Sequence, residues 1–460
     1  MKNILILCDD FPPVSNPRMG YLCKYLPELG WNTIVVTEFL PYKNLYRGLA
    51  EGQNVTYINY YFSKNKFWQF LKHTFVLFAD LFFNYKDLVI NRKAKKIIKE
   101  KNISLIISSS FRVYPALAAH KLACRYNIPF VMDLRDIFEQ NVNNELVVRK
   151  IFKMQWINNL AAKIIKKKLT RQRNEILKKA DAVTTVSEWH VETLSKYSSN
   201  AKLIYNGYNS EIFFFERIDN EQFIVVFTGR MYSQELRDPS MLFEAVACLS
   251  KAGKIVPKNF RLHFYLTDQF SENLIKSLAE TYEILDFVEC FDAVSNLEIP
   301  KILNRSSILL LLANKSTGEN TPKGIMGTKT FEYLAVEKPI LCVRSDEDCL
   351  EKTIFSANAG LAAKNVEEVE TFILEKYAEW QQNGYTHQPV NQEYIQQFSR
   401  KRQAGQFAEL FNALSLKLDV TRFQKRVTSN PNDAKPKSST SLRGISEAIQ
   451  KKTILSPISL

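Results

Sequence analysis

Short aliphatic runs alternate along this chain with longer stretches in which apolar residues recur every three or four positions. Runs of the first kind read as buried strands and those of the second as amphipathic helices. Residues 3–7 form such a run, and residues 11–17 hold three prolines and must be loop. Residues 19–29 have helical spacing, Gly30 stops the helix, and the β-branched residues 33–37 form the next strand. The pattern recurs as a strand at 103–108, a helix at 115–126 and a strand at 129–134. Shorter strands are predicted at 182–187 and 203–205. Strand–helix–strand alternation of this kind implies a parallel sheet.

A second series opens at residue 223. It predicts strands at 223–227, 261–266, 287–290, 307–312 and 339–343, with helices at 239–252, 271–281 and 329–335. The predicted fold is therefore α/β, two doubly wound halves joined by a hinge at 206–221. Nucleotides bind such sheets beyond the carboxyl ends of the strands, so the cleft between the halves is the expected site. Two regions depart from the pattern. Residues 62–88 are crowded with aromatics, among them Phe67, Trp68, Phe70, Phe75, Phe78, Phe82 and Phe83. The first reading is a core-facing helix pair; the second is an interfacial membrane face. The tail from 418 to 460 is rich in Ser, Lys, Pro and Asn and is expected to be disordered.

Length and composition agree with this division. A chain of 460 residues is too long for one ordinary core, and 46% hydrophobic with 24% charged residues is a globular profile. No run approaches the ~20 apolar residues of a membrane-spanning helix, and the first apolar run is too short for a signal peptide, which predicts a cytoplasmic protein. Seven scattered Cys and five scattered His, without CxxC or HxxxH pairs, argue against a disulfide framework or a zinc site. The net charge of +14 suggests an acidic partner. Nine Lys or Arg and no acid lie between 146 and 174, interleaved with Ile151, Trp156, Leu160 and Ile164. That is the composition either of a solvated helix or of one lying on an anionic membrane. Nucleic acid is set aside, since no nucleic-acid-binding motif accompanies the charge.

Six stretches, in order, resemble the family 4 type of GT-B-fold glycosyltransferases: FPPVSNPRMGYLCKYLPELGWNTIVVT, SSSFRVYPALAAHKLACRYNIPFVMDLRD, KKADAVTTVSEWHVETL, IYNGYNSEIF, FTGRMYSQELRDP and GTKTFEYLAVEKPIL. The resemblance spans residues 1 to about 380 and implies two Rossmann-like domains facing across a cleft. The acceptor-side domain would occupy 1–205, the hinge 206–221 and the donor domain 222–390, with a C-terminal helix at 391–417 packing back on the first domain. It implies a retaining, metal-independent transfer of sugar from a UDP- or GDP-sugar to a saccharide or lipid-linked acceptor in cell-surface polysaccharide synthesis, without a cofactor. A peripheral position on the inner face of the plasma membrane would suit such an acceptor.

The chemistry turns on a diphosphate leaving group, which gathers negative charge as the sugar departs and needs fixed cations. By resemblance, Arg230 after Thr228-Gly229 is the diphosphate-binding Arg, with Arg237 and Lys329 as further cations. Glu332 matches the second Glu of the family's paired-Glu motif, whose carboxylate would take both ribose hydroxyls. The first Glu is missing, since Gly324 stands there next to Lys323. Arg18 and Gly20 fall in the loop expected to face the diphosphate, and Ser187, Glu188, Asn206 and Gly207 match the interdomain segments. Asp136, then Asp133, is the expected acceptor-facing carboxylate, against a purely structural Asp–Arg network. Asp346 and Asp348 spell a D-x-D but read as acids at a helix N-terminus rather than a metal site. The competing readings are a sugar-nucleotide 2-epimerase of the same architecture, a non-catalytic sugar-nucleotide-binding protein, and a basic scaffold.

Overall fold

The computed structural model describes residues 1–41, 46–110, 112–140, 155–234, 236–313 and 325–429. Residues Met1–Phe411 form one compact unit. Its first domain runs β1 (Lys2–Cys8), α1 (Pro17–Tyr25), β2 (Trp31–Glu38), β3 (Val55–Ile58), α2 (Lys66–Phe83), α3 (Tyr85–Glu100), β4 (Ile103–Ser110), α4 (Ala116–Tyr126), β5 (Phe130–Leu134), α5 (Gln155–Leu177), β6 (Ala182–Thr185), α6 (Glu188–Ser195) and β7 (Ala201–Leu203). The second runs β8 (Phe223–Gly229), α7 (Ser240–Lys251), β9 (Phe260–Leu266), α8 (Gln269–Thr281), β10 (Val288–Asp292), α9 (Ile299–Asn304), β11 (Ile308–Leu312), α10 (Thr328–Ala335), β12 (Ile340–Val343), α11 (Cys349–Ser356), β13 (Gly360–Ala363) and α12 (Val366–Asn383). The sheet orders are β3-β2-β1-β4-β5-β6-β7 and β10-β9-β8-β11-β12-β13, with parallel pairing throughout.

The central strands are covered on both faces, which is why they read as continuous apolar runs: Ile4, Leu5, Ile6 and Leu7 of β1 and Ile308 and Leu309 of β11 are wholly buried. Each order reverses beside the first strand of its domain, β1 against β4 and β8 against β11. Both ligand-accepting crevices of a doubly wound sheet therefore open at those strand ends.

After α12 the chain makes α13 (Gln392–Gln396) and α14 (Arg400–Ser429). Residues up to Phe411 return to the first domain, with the Phe411 ring edge-on to Trp31 at 5.7 Å and the Arg18 guanidinium over Phe407 at 5.0 Å. Helix α14 runs beyond the predicted end at 417, into a second unit of residues 412–460 whose described part is helical to Ser429. The rest of the tail expected to be disordered lies outside the described residues.

The aromatic segment corrects the first reading of residues 62–88. Helix α2 buries only Val76, and all seven of its Phe and Trp side chains named above are between 54% and 72% exposed. They do not face the core. Among the described residues, no helix is long and apolar enough to cross a membrane.

Candidate active site

Strand β8 ends in Thr228-Gly229, and Gly229 takes φ +125°, a conformation that costs glycine little. A Cβ there would lie 2.7 Å from Lys329 Cε. The glycine thus makes room for Lys329, whose ammonium lies 4.3 Å from the centre of the Phe227 ring. Around it a cavity of about 360 Å³ opens at the ends of β8, β9 and β11, lined among others by Tyr46, Arg237, Thr328, Lys329 and Glu332. Helix α10 begins at this cavity, and no side chain caps its first turn at Gly327. Unshared helix-end N–H groups beside two cations favour an anion.

The charges there are unbalanced. Burial and then the neighbouring Arg237 hold the Lys329 ammonium well below its usual pKa, and burial lowers that of Arg237. Burial pushes the Glu332 carboxyl up to about 7, against the opposing pull of Arg400 and Lys329. Perturbed groups of this kind gathered in one cleft mark a candidate functional site.

On the first-domain side, β5 ends in Asp133 and leads to Arg135 and Asp136, which face different surroundings. Asp133 is wholly buried; it accepts from Arg18 Nη2 at 3.0 Å, Ser109 Oγ at 2.8 Å and Thr184 Oγ1 at 2.7 Å. Arg18 is also buried and donates onward to the Tyr205 carbonyl at 2.9 Å. Arg135 is held by Asp9 at 2.7 Å and Asp10 at 2.9 Å. Asp136 opens into a cavity of about 220 Å³ between the domains, which Asn16, His190, Asn206, Thr328 and Arg400 also line. Burial within the cleft raises its pKa, opposed by Arg135 and by the Gln140 amide at 3.3 Å.

The fold thus brings Arg237, Lys329, Glu332 and Gly229 to one cavity and Asp136 to the adjoining one. Arg230 turns away: its guanidinium pairs with Asp268 at 3.2 Å, is 54% exposed, and is absent from the residues lining either cavity. Its carbonyl instead accepts from Arg237 Nη1. Arg18 and Asp133 form the structural Asp–Arg network considered above. Gly20 is packed inside α1, where a Cβ would meet Pro12 Cγ at 2.6 Å, and its N–H is used by the Asn16 carbonyl. Asp346 accepts from the backbone N–H groups of Leu350 at 2.9 Å and Glu351 at 3.0 Å, capping α11 as expected of acids at a helix start. Gly324 and Lys323 lie outside the described residues.

Two residues of the cleft escaped sequence reasoning. Arg400, at the start of α14, is 1% exposed, and its Nε and Nη2 have no hydrogen-bond partner among the described residues. Burial and the nearby Arg18 lower its pKa to about 10. His190 is equally buried, with Nδ1 at 3.1 Å from Thr185 Oγ1, Nε2 unpartnered among the described residues, and a pKa lowered by burial to about 4. His190 lies within the quoted VSEWH stretch, so its nearness to the cleft was readable; nothing along the chain ties position 400 to residue 18.

Two facing parallel-sheet domains with a cationic cavity at the strand ends are the GT-B architecture. Residues 18–212 match the family described as Glycosyltransferase Family 4. The whole fold is similar to sucrose-phosphate synthase from Thermosynechococcus elongatus (14% identity, TM-score 0.59, 90% of this chain and 99% of that one). It is also similar to HepE of Anabaena in complex with UDP and glucose (12%, TM-score 0.58, 90% and 100%). A UDP-GlcNAc 2-epimerase from Neisseria meningitidis shares the architecture less closely (11%, TM-score 0.50, 89% and 99%). No curated protein matches the chain. The fold is common to transferases and epimerases, and the family match over the first domain favours the transferase.

Proposed function

We propose that this protein transfers a sugar, with retention of configuration, from a nucleoside diphosphate to a saccharide or lipid-linked acceptor, at the cytoplasmic face of a membrane and in cell-surface polysaccharide assembly. The observation that carries the reading is the pair of under-compensated cations, Arg237 and Lys329, lining one cavity with Glu332. The Anabaena neighbour's complexes with UDP and with UDP-glucose support a uridine donor. In the proposed reaction the bond from the anomeric carbon to the β-phosphate oxygen breaks, and charge gathers on the diphosphate. Arg237, Lys329 and the start of α10 neutralise it, a stabilisation that grows towards the transition state. For configuration to be kept in one step, the acceptor oxygen bonds to the anomeric carbon from the face the diphosphate leaves, as its proton passes to Asp136, which opens into the adjoining cavity. Glu332 would hold the ribose hydroxyls. Arg230 would act from the rim, through the carbonyl that receives Arg237.

Calorimetry with UDP and GDP tests the donor site. Arg237→Ala, Lys329→Ala and Glu332→Ala are each expected to lose about tenfold or more in affinity, by analogy with a lost charge-assisted hydrogen bond, and Arg230→Ala less. Asp136→Asn should bind nucleotide normally and fail to transfer, and transfer should survive EDTA. Unchanged affinity in the first three variants would remove the site; an epimerised donor with no transfer to any acceptor would assign the fold's other chemistry.

A further inference from the structure

The outer face of α2 has no use inside the domain. Phe67, Leu71, Phe75, Phe78 and Phe82 fall at i, i+4, i+8, i+11 and i+15, one apolar stripe, and every one of them is exposed. Trp68 widens it. Val76, the one buried residue of α2, lies on the opposite side of the helix, towards the first-domain core. A stripe with that spacing ordinarily points inward, and contiguous apolar surface of this kind marks an interaction site.

The surroundings of the stripe are cationic. Lys66 and Lys72 are exposed on α2 itself. Helix α5 meets the C-terminal end of α2, where Lys168 Nζ donates to the Leu81 carbonyl and Gln172 Nε2 to Asn84 Oδ1 at 3.3 Å. The exposed positions of α5 mix apolar and basic side chains: Leu160 and Ile164 with Lys163, Lys167 and Arg171. Not every basic residue of the segment belongs to this face. Arg173 is buried in a two-bond pair with Glu139, both at 2.7 Å. The only acid on α2, Asp80, accepts from the Lys86 N–H at 2.9 Å.

We propose that α2 is a membrane-docking helix, its aromatic stripe inserted into the interface of an anionic bilayer while Lys66, Lys72 and the exposed cations of α5 engage the headgroups. Aromatic side chains inserted at the headgroup boundary with cations beside them are the chemistry such an interface rewards. A second copy of the chain fits less well, because a two-fold contact through this face would set its own cations against their equivalents. The bilayer offers the opposite charge. This deepens the peripheral contact proposed above by moving its apolar anchor from the basic segment to α2. The docking does not depend on the donor site, so the two readings fail separately.

Co-sedimentation of the full chain with vesicles of phosphatidylcholine, with and without phosphatidylglycerol, tests it. The protein should partition onto the anionic vesicles and less onto neutral ones, with binding weakened at high salt. The combined variant Trp68→Ser, Phe78→Ser, Phe82→Ser should lose at least tenfold in partitioning while keeping the parent's UDP affinity and melting temperature, since these side chains support no core. Lys163→Glu with Lys167→Glu should lose binding to anionic vesicles and leave the weak neutral binding unchanged. Equal partitioning of the aromatic variant and the parent would overturn the proposal. So would a parent that ignores vesicles yet forms a dimer by light scattering that the aromatic variant does not form, which would assign the face to a second copy.

Discussion

Asp133 and Asp136 stand three positions apart at the end of β5, and their surroundings give them opposite properties. The first is enclosed by Arg18, Ser109 and Thr184, while the second opens into the cleft. The D-L-R-D stretch located the pair but could not divide the roles, because the groups that enclose Asp133 come from β4, β6 and α1. The cations behaved similarly. A Gly-ended strand followed by Arg pointed to a strand end where a cavity opens, yet it is Arg237, seven residues on, that lines that cavity. Glu332 gives this scale its prediction. Burial holds its carboxyl at about 7 in the folded chain, against an ordinary value of 4.5. Between those values the folded chain keeps a proton that the unfolded chain releases, so this group's contribution to stability falls as the pH rises through that window. Gln carries no such proton. Glu332→Gln should therefore equal the parent below the window and exceed it by on the order of 2–3 kcal/mol above pH 7. Urea unfolding at pH 4, 6 and 8 measures the difference; a gap that is the same at all three would show that Glu332 does not titrate there.

At the scale of elements, the two series of strands were legible because buried parallel strands are unbroken aliphatic runs, and the long runs of β1, β4, β8 and β11 were found almost to the residue. The edge strands β3 and β13 were not, being four residues each with only one of the four buried. Periodicity gave α2 its apolar stripe and the wrong side: the repeat says that a helix has an apolar face but not what covers it. The hinge turn shows the opposite case, a residue whose identity had a reason the sequence could not state. Asn206-Gly207 was expected to turn the chain, and the structure adds that a Cβ on Gly207 would drive into the Phe398 carbonyl oxygen. That carbonyl accepts the Tyr208 N–H at 3.0 Å, and the Tyr208 carbonyl takes the Arg400 N–H at 2.8 Å. Gly207→Ala must push these two segments apart. A loss of about 2–3 kcal/mol is expected, in the range of overpacking a close contact, measured as a lower urea midpoint. A neutral substitution would mean that the Phe398 segment yields at no cost.

For the whole of residues 1–411, the division into two α/β halves followed from the alternation alone, and the cleft followed from the rule for doubly wound sheets. The route of the chain after residue 390 did not, since one helical run carries no record of which domain it covers. That route binds the halves together. Phe398 packs on Phe331 at 4.8 Å in the second domain and on Tyr205 at 5.1 Å before the hinge. The Tyr205 carbonyl accepts both from Arg18 at 2.9 Å and from Gln403 of α14. Phe407 and Phe411 then cover Arg18 and Trp31 of the first domain. With one segment packed into both cores, neither half can open without uncovering part of the other, and the unit should unfold as one. Scanning calorimetry of the full chain should show a single main transition, which UDP raises as a whole. A chain ending at Gln397 lacks every contact made by Phe398, Gln403, Phe407 and Phe411. It should melt in two steps, the lower belonging to the uncovered first domain, with UDP raising only the upper one. A truncated chain that still melts in one step, shifted entire by UDP, would show that the domains are coupled through the cleft itself rather than through the returning segment.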